Sequence, residues 1–278
     1  MTLTAAGLLA GCAQTRHSTP LQAGLAGAGV RLQRSLPSVL PGGAQALAGR
    51  QLVLLPAESA AGMLVPVPFL SEAIEGAINR AEAASEAARL AAVDPYAMAQ
   101  VAWDGAALLS ASADALVLQP FAFLQACVDD RYRIDLVHQL SRGDWMARYT
   151  VHLASSHERE DFHRPTAALL QTLQTEMQDG TAMLRRLVER GARGELSQAK
   201  RRVDVGSLHL VGNRAAGLVN PMLVLARGAQ LIEEDDSRVL VRIDGDPSQP
   251  ASAGGLFFGV HLLRKAQLHT FRPAANAA

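Results

Sequence analysis

The sequence predicts an α+β protein: an α/β module with an antiparallel meander and covering helices, followed by a small all-β domain. Three observations predict it. Residues 113–153 alternate apolar and polar side chains across short polar turns, the pattern of neighbouring antiparallel strands. Two stretches, one after Ser71 and one after Pro165, repeat their apolar residues at helical spacing. From Val203 onward, short Val- and Leu-rich runs are separated by Gly, Pro and acidic turns, which predicts strands.

Taken in order, residues 13–50 are rich in Ala, Gly, Leu, Pro and Ser, with Pro20 and Pro41-Gly42-Gly43 as breakers. They read as a tether that a short amphipathic helix around residues 30–40 interrupts. Arg50–Pro56 is a continuous apolar run ending in Pro, which predicts a buried strand. Ser71 is placed to cap a helix over Glu72–Ala92, with Ile74, Ile78, Ala81, Ala84, Ala88 and Ala91 on one face. Asp94-Pro95 restarts a helix as cap and first-turn proline, running to about Ser110.

Ala115–Leu118 opens the meander. Tyr132, Ile134, Leu136, His138 and Leu140 then alternate with Arg131, Arg133, Asp135, Val137 and Gln139. The turn Ser141-Arg142-Gly143-Asp144 leads to Trp145, Ala147, Tyr149, Val151 and Leu153. One buried face is expected. His157–Arg164 reads as a polar link, and Pro165 opens a long helix whose apolar face is Leu169, Leu173, Met177, Leu184, Leu187 and Val188. Gly191 and Gly194 are placed to stop it. Val203–Gly212, Met222–Ala226, Gln230–Ile232, Arg238–Ile243, Leu256–Leu263 and Gln267–Phe271 are the strand candidates of the last domain.

Composition narrows the functional classes. Net charge is zero, from 26 basic and 26 acidic residues, which argues against a nucleic-acid partner. Apolar residues make up 49% of the chain, ample for a core. After residue 12 no uninterrupted apolar run approaches the roughly 18–20 residues that a spanning helix needs. No Gly-x-Ser-x-Gly elbow and no phosphate loop occurs, and Ala253-Gly254-Gly255 reads as an ordinary loop.

Several clusters hold residues capable of chemistry. His157-Glu158-Arg159-Glu160-Asp161-Phe162-His163 is the densest run of metal-ligating types, at a spacing matching no zinc pattern. His209, His261 and His269 fall on expected strands and have the chemistry to converge on a metal, although each also fits a half-exposed position. Asp244-Gly245-Asp246 and Glu233-Glu234-Asp235-Asp236 lack the oxygen ligands of a calcium loop and read as turns. His138 and His152 with Asp135 hold acid–base potential, but ordinary sheet positions account for them. No cofactor, metal or catalytic residue is assigned, and a non-enzymatic protein is expected.

The apolar run Leu3–Leu9 closes on Leu9-Ala10-Gly11-Cys12, which resembles the lipobox of bacterial lipoproteins. That resemblance implies a signal peptide over 1–11 and a lipid on Cys12. Ala13 in place of Asp after the cysteine implies the outer membrane, with the body in the periplasm. Two or three acyl chains make attachment stable, because each buried methylene contributes roughly 0.8 kcal/mol. Cys127 is then a lone thiol; without lipidation, a 12–127 disulfide becomes open to it. The expected division is a lipidated cysteine and linker over 12–49, an α/β module over 50–195, a small β domain over 196–272 and a tail over 273–278.

Two further resemblances bear on the body. Strand, helix pair and meander, carried by Gln51–Pro56, Ala113–Gln119 and Tyr132–Leu153, are similar to the α/β module of TolB-like envelope proteins. Leu223–Arg242 resembles a bacterial SH3-type repeat, with a leucine-rich strand, Arg227-Gly228, an acidic turn and Val239-Leu240-Val241. Gly259-Val260-His261 stands where that family has Gly-Trp-Val, and the tryptophan after the acidic turn is absent. These resemblances imply an envelope lipoprotein that binds a protein or peptidoglycan partner. An envelope hydrolase using a His–carboxylate pair and a purely structural surface lipoprotein are the alternatives.

Overall fold

The computed structural model describes residues 16–17, 25, 27–41, 44–47, 49–55, 90, 93–126, 131–207, 226–248 and 256–274. The signal peptide, Cys12, Cys127, His209, residues 253–255 and all but one residue of the expected 72–92 helix lie outside them. The described strands join in one 12-stranded mixed sheet. At its centre are β5 (Leu116–Ala126), β6 (Arg131–Arg142) and β7 (Trp145–Glu158), paired antiparallel. Along the outer edge of β5 run β2 (Val30–Leu32) and β4 (Leu52–Leu55), both parallel to it, and β3 (Gln45–Ala46) pairs with β4. The short β1 (Arg16–His17) lies beside the start of β7.

The meander forms where alternation predicted it, but both of its faces are buried. On one face Leu136, Leu140, Ala147, Tyr149 and Val151 join the main core. On the other, Val137 packs with Val53, Leu55, Phe121, Phe123 and Phe257. Polar residues on that second face, Asp135, Gln139, Arg148, Thr150 and His152, are therefore buried instead of wetted. Pro120 sits inside β5 without breaking it. The alternate residues Leu116 and Ala122 send their N–H groups to Gly29 and Gln51 on the β2/β4 edge. Pro120 faces the same edge in the gap after β2 ends and before β4 begins, where no acceptor is waiting.

Residues 30–47 correct an expectation. They are neither helix nor free tether: Val30 and Leu47 are buried in the main core, and Val30–Leu32 completes the sheet. The apolar side chains spaced along this stretch find more area against β5 than in solvent. The Asp94-Pro95 start holds as read. Asp94 accepts from the N–H groups of Tyr96 (3.0 Å) and Ala97 (3.1 Å), capping α1 (Pro95–Trp103). The helix stops at Trp103, short of Ser110, because Gly105 turns the chain at φ 65°.

The His157–Arg164 link is structured: β7 runs through Glu158 and α2 (Arg159–His163) follows, with Phe162 buried against Tyr132. Thr166 then caps α3 (Ala167–Ala192) by accepting from Leu169 N–H at 3.1 Å. Leu173, Met177, Leu184, Leu187 and Val188 are buried as the periodicity requires, each contributing roughly 1.5–3 kcal/mol. Two glycines set how close α3 lies. A methyl group on Gly180 would stand 2.6 Å from Leu136 Cδ1, and one on Gly191 would stand 2.3 Å from the Tyr149 hydroxyl. Gly191 is thus a packing residue; Gly194, at φ 77°, turns the chain after the helix end.

The C-terminal strands are β8 (Arg201–Ser207), β9 (Ala226–Glu234), β10 (Arg238–Ile243), β11 (Gly259–Arg264) and β12 (Leu268–Pro273). A 3₁₀ turn, Lys265–Gln267, joins the last two. Their order is β12-β8-β9-β10-β11, and β11 continues the sheet by pairing parallel to β7. They enclose an apolar cluster of their own, including Val203, Val205, Leu231, Val241 and Leu263. Leu231 faces that cluster and its neighbour Ile232 faces the main core under α3, as strand alternation requires, and a bulge opposite Leu240/Val241 leaves Ile232 as the extra residue of β9. The boundary expected between 195 and 196 thus falls in the loop after α3, while the strands on either side share one sheet. Gly259 permits the joint: its φ is +126°, and a Cβ there would lie 2.5 Å from the Arg148 carbonyl.

Candidate functional site

Sheet register brings Asp135, His152 and His261 together on the face opposite α3. Asp135 and His152 are cross-strand partners, and β11 pairs with β7 so that His261 stands beside Thr150. His152 Nδ1 lies 2.8 Å from Asp135 Oδ1, His152 Nε2 lies 3.0 Å from His261 Nδ1, and His261 Nε2 lies 2.6 Å from the Phe257 carbonyl. All three side chains are buried.

Proton counting assigns their states. Three hydrogen bonds need three protons, and two neutral imidazoles supply only two. The Phe257 carbonyl accepts only, so His261 Nε2 carries a proton. The third proton lies in the Asp135–His152 contact, on the carboxyl or on the imidazole, while His152 Nε2 donates to His261 Nδ1 and His261 Nε2 donates to Phe257. Either placement leaves the trio neutral overall, which is the cheapest state for a buried cluster. Burial, followed by the electrostatic effect of His152 beside it, pushes His261 down to about 3, in keeping with a neutral ring.

Around this trio the second face stays polar yet closed. Arg148, fully buried, donates to Gln139 Oε1 from Nε (3.1 Å) and Nη2 (2.8 Å) and to the Val39 carbonyl at 3.2 Å. Its guanidinium also lies over the Phe257 ring at 5.4 Å. Burial pushes Arg148 down to about 9, so it remains a cation at neutral pH. His138 points the other way, beside the Trp103 ring at 6.0 Å, and burial pushes it down to about 3. Of the three residues with acid–base potential, only Asp135 and His152 meet, His138 stands on the other face at a sheet position, and His261 takes the third place.

A second site is open. Between α3 and the outer faces of β9, β10 and β11 runs a groove of about 590 Å³. Leu187, Ile232, Leu240 and Leu262 line its apolar floor, with Met183 on the helix wall. Arg186, Arg190, Lys200 and Arg238 stand along it together with Glu233, Glu234 and Asp235. The three acids are engaged. Glu233 pairs with Arg190, and Glu234 pairs with Arg201 (2.9 Å) and Lys265 (2.8 Å). Asp235 accepts from the Ser237 and Arg238 N–H groups, both at 2.7 Å, as an acidic turn should. Arg186 and Lys200 have no carboxylate partner among the described residues, while Arg238 stands beside the Asp235 carboxylate.

The remaining predicted positions resolve simply. His157 packs its ring on Phe162, and Arg131 pairs with Glu158. His269 is exposed on β12 beside Thr270. Asp244 accepts from Gln230, and Asp246 caps the turn at Ser248. Among the described residues no three His, Cys, Asp or Glu side chains are grouped to hold a metal ion, and no helix is long and apolar enough to cross a membrane. Sequence reading missed the groove. Its one linear trace is Arg186 and Arg190, four residues apart on the edge of the α3 apolar stripe, with Met183 and Leu187 interleaved. No family model, curated protein or solved structure matches the chain.

Proposed function

We propose that the chain is a lipid-anchored bacterial envelope protein that acts by binding, not by catalysis. Cys12 carries the acyl chains, the anchor sits in the outer membrane, and the body works in the periplasm. The face shared by α3 and the C-terminal strands engages the partner, an envelope protein or a peptidoglycan strand. One observation carries the binding reading: the open, charge-lined concavity lies on that face, while the Asp135–His152–His261 trio is sealed away from any substrate. The SH3-type reading of the last strands draws support from their order. A five-stranded meander whose fifth strand returns to pair with the first, after a 3₁₀ turn, is the arrangement of that fold class.

Fractionation tests the anchor: native protein pellets with membranes and its mature mass includes hydrocarbon, while Cys12→Ala moves to the soluble pool. Native protein that keeps its first eleven residues and carries no acyl mass overturns the anchor. Met183→Trp, which fills the groove, tests the binding face. Capture of envelope complexes or co-sedimentation with cell wall should be lost, and capture that persists unchanged places the partner elsewhere.

A further inference from the structure

The groove under α3 has a polarity along its length that selects the shape of a ligand. Its main body, about 590 Å³, falls within the range of roughly 300–1,000 Å³ typical of small-molecule sites. It continues into a hollow of about 80 Å³ that shares Met183, Arg238 and Leu262 and reaches Gly180, Asp179 and Glu176. From Glu176 to Arg190 the helix wall extends about 21 Å at 1.5 Å per residue. One end thus holds Arg186 and Lys200, the middle holds Arg238 beside Asp235, and the far end balances Asp179 and Glu176 against Arg264 around the apolar side chains of Val151, Leu153 and Leu262.

We infer that this groove binds a single-chain amphiphile with an anionic head, taken up as a monomer. The inference rests on the reading that this face is a binding face, and it adds a small ligand held in the groove beside the macromolecular partner. An anionic head is drawn to Arg186 and Lys200, the groove cations without a carboxylate partner among the described residues, with Arg238 next along the groove. The chain then lies over Leu240 and Leu262 toward Met183, where apolar surface is covered without a hydrogen-bonding demand.

A peptide fits less well, for a reason visible in the topology. Each floor strand is already paired on both edges: β9 with β8 and β10, β10 with β9 and β11, β11 with β10 and β7. The opposite wall is a helix whose backbone groups bond within it. An extended peptide laid here finds no sheet edge for strand addition, and its own amides would be buried unpaired. A hydrocarbon chain makes no such demand.

Titration calorimetry on the full mature chain tests this with n-dodecyl phosphate, kept below its micelle-forming concentration. The neutral n-dodecyl maltoside and inorganic phosphate serve as tail-only and head-only probes. The expected result is one-to-one binding of dodecyl phosphate, weakened by added salt and by about tenfold in each of Arg186→Gln, Lys200→Gln and Arg238→Gln. These side chains are exposed or half-buried, so the fold should tolerate the changes; circular dichroism checks it. Binding of the maltoside as tight as that of the phosphate, binding indifferent to all three substitutions, or no binding of dodecyl phosphate overturns the inference. So does binding of phosphatidylglycerol vesicles in place of the monomer, or of an acidic peptide alone. Failure here together with loss of partner capture in Met183→Trp removes the ligand class and leaves the binding face standing.

Discussion

His152 and His261 stand 109 residues apart in the chain and meet through Nε2 and Nδ1 at 3.0 Å, fully enclosed. One belongs to the meander and the other to the C-terminal strands, so their contact ties the parallel β7–β11 joint on the face away from α3. Asp135 anchors the pair from β6, which makes three adjacent strands share one polar cluster.

Breaking that cluster from one side should be costly. Asp135→Leu leaves the buried His152 Nδ1 without its partner, and His152→Leu leaves the buried Asp135 carboxyl without its partner; each should cost about 3–5 kcal/mol. The double variant Asp135→Leu/His152→Leu should cost less than the sum of the two, as for any directly coupled pair. Urea unfolding of the four proteins measures this, and additive losses would show that the pair does not act as a unit.

Stability should fall on acidification. His138 and His261 are both held down at about 3 by burial, against an ordinary value near 6.5. Between these values the unfolded chain binds protons that the folded one does not, so stability rises with pH across that window and is complete above it. Each histidine contributes a slope of about 1.4 kcal/mol per pH unit. Unfolding midpoints measured from pH 7.5 to 4.5 should drop accordingly; a flat profile would contradict the buried neutral rings.

His138→Leu isolates one of the two. The His138 Nδ1 atom is buried with no hydrogen-bond partner among the described residues. Replacing the ring by an apolar side chain removes that cost, so the variant should be as stable as the native protein at pH 7 and show a shallower acid slope. A loss of several kcal/mol at pH 7 would mean that the ring holds a contact worth keeping.

Gly191→Ala tests how α3 is seated. The added methyl would meet the Tyr149 hydroxyl at 2.3 Å, and overpacking of this kind costs about 1–3 kcal/mol. Tyr149→Phe removes the atom struck first, a buried hydroxyl without a partner among the described residues, and should restore most of the loss. Thermal unfolding of the single and double variants decides it; no rescue would place the strain on the backbone.

Local sequence determined a good deal. Period-two alternation located β6 and β7, Asp94-Pro95 set the start of α1, Pro165 placed the start of α3 to within two residues, and helical spacing named the buried face of α3 in advance. These features depend on contacts within a few residues, or on which side of one element meets any core at all. What lies on the far side of a strand is not written in its own pattern. The second buried face of the meander, the pairing of Val30–Leu32 with β5 and of Gln45–Ala46 with β4, and the place of Pro120 in a gap between two edge strands came from tertiary packing.

The same division holds for the sites. Asp135, His138 and His152 were visible as residues capable of chemistry, but alternation alone put them at ordinary sheet positions and left His261 unconnected. Alternation already puts His138 on the face opposite Asp135; the parallel docking of β11 on β7 decided that His261 completes the trio, because hydrogen bonding between elements far apart in sequence fixes which side chains meet. The groove followed from the same docking: a helix from the middle of the chain and three strands from its end make one concave wall, with cations from both.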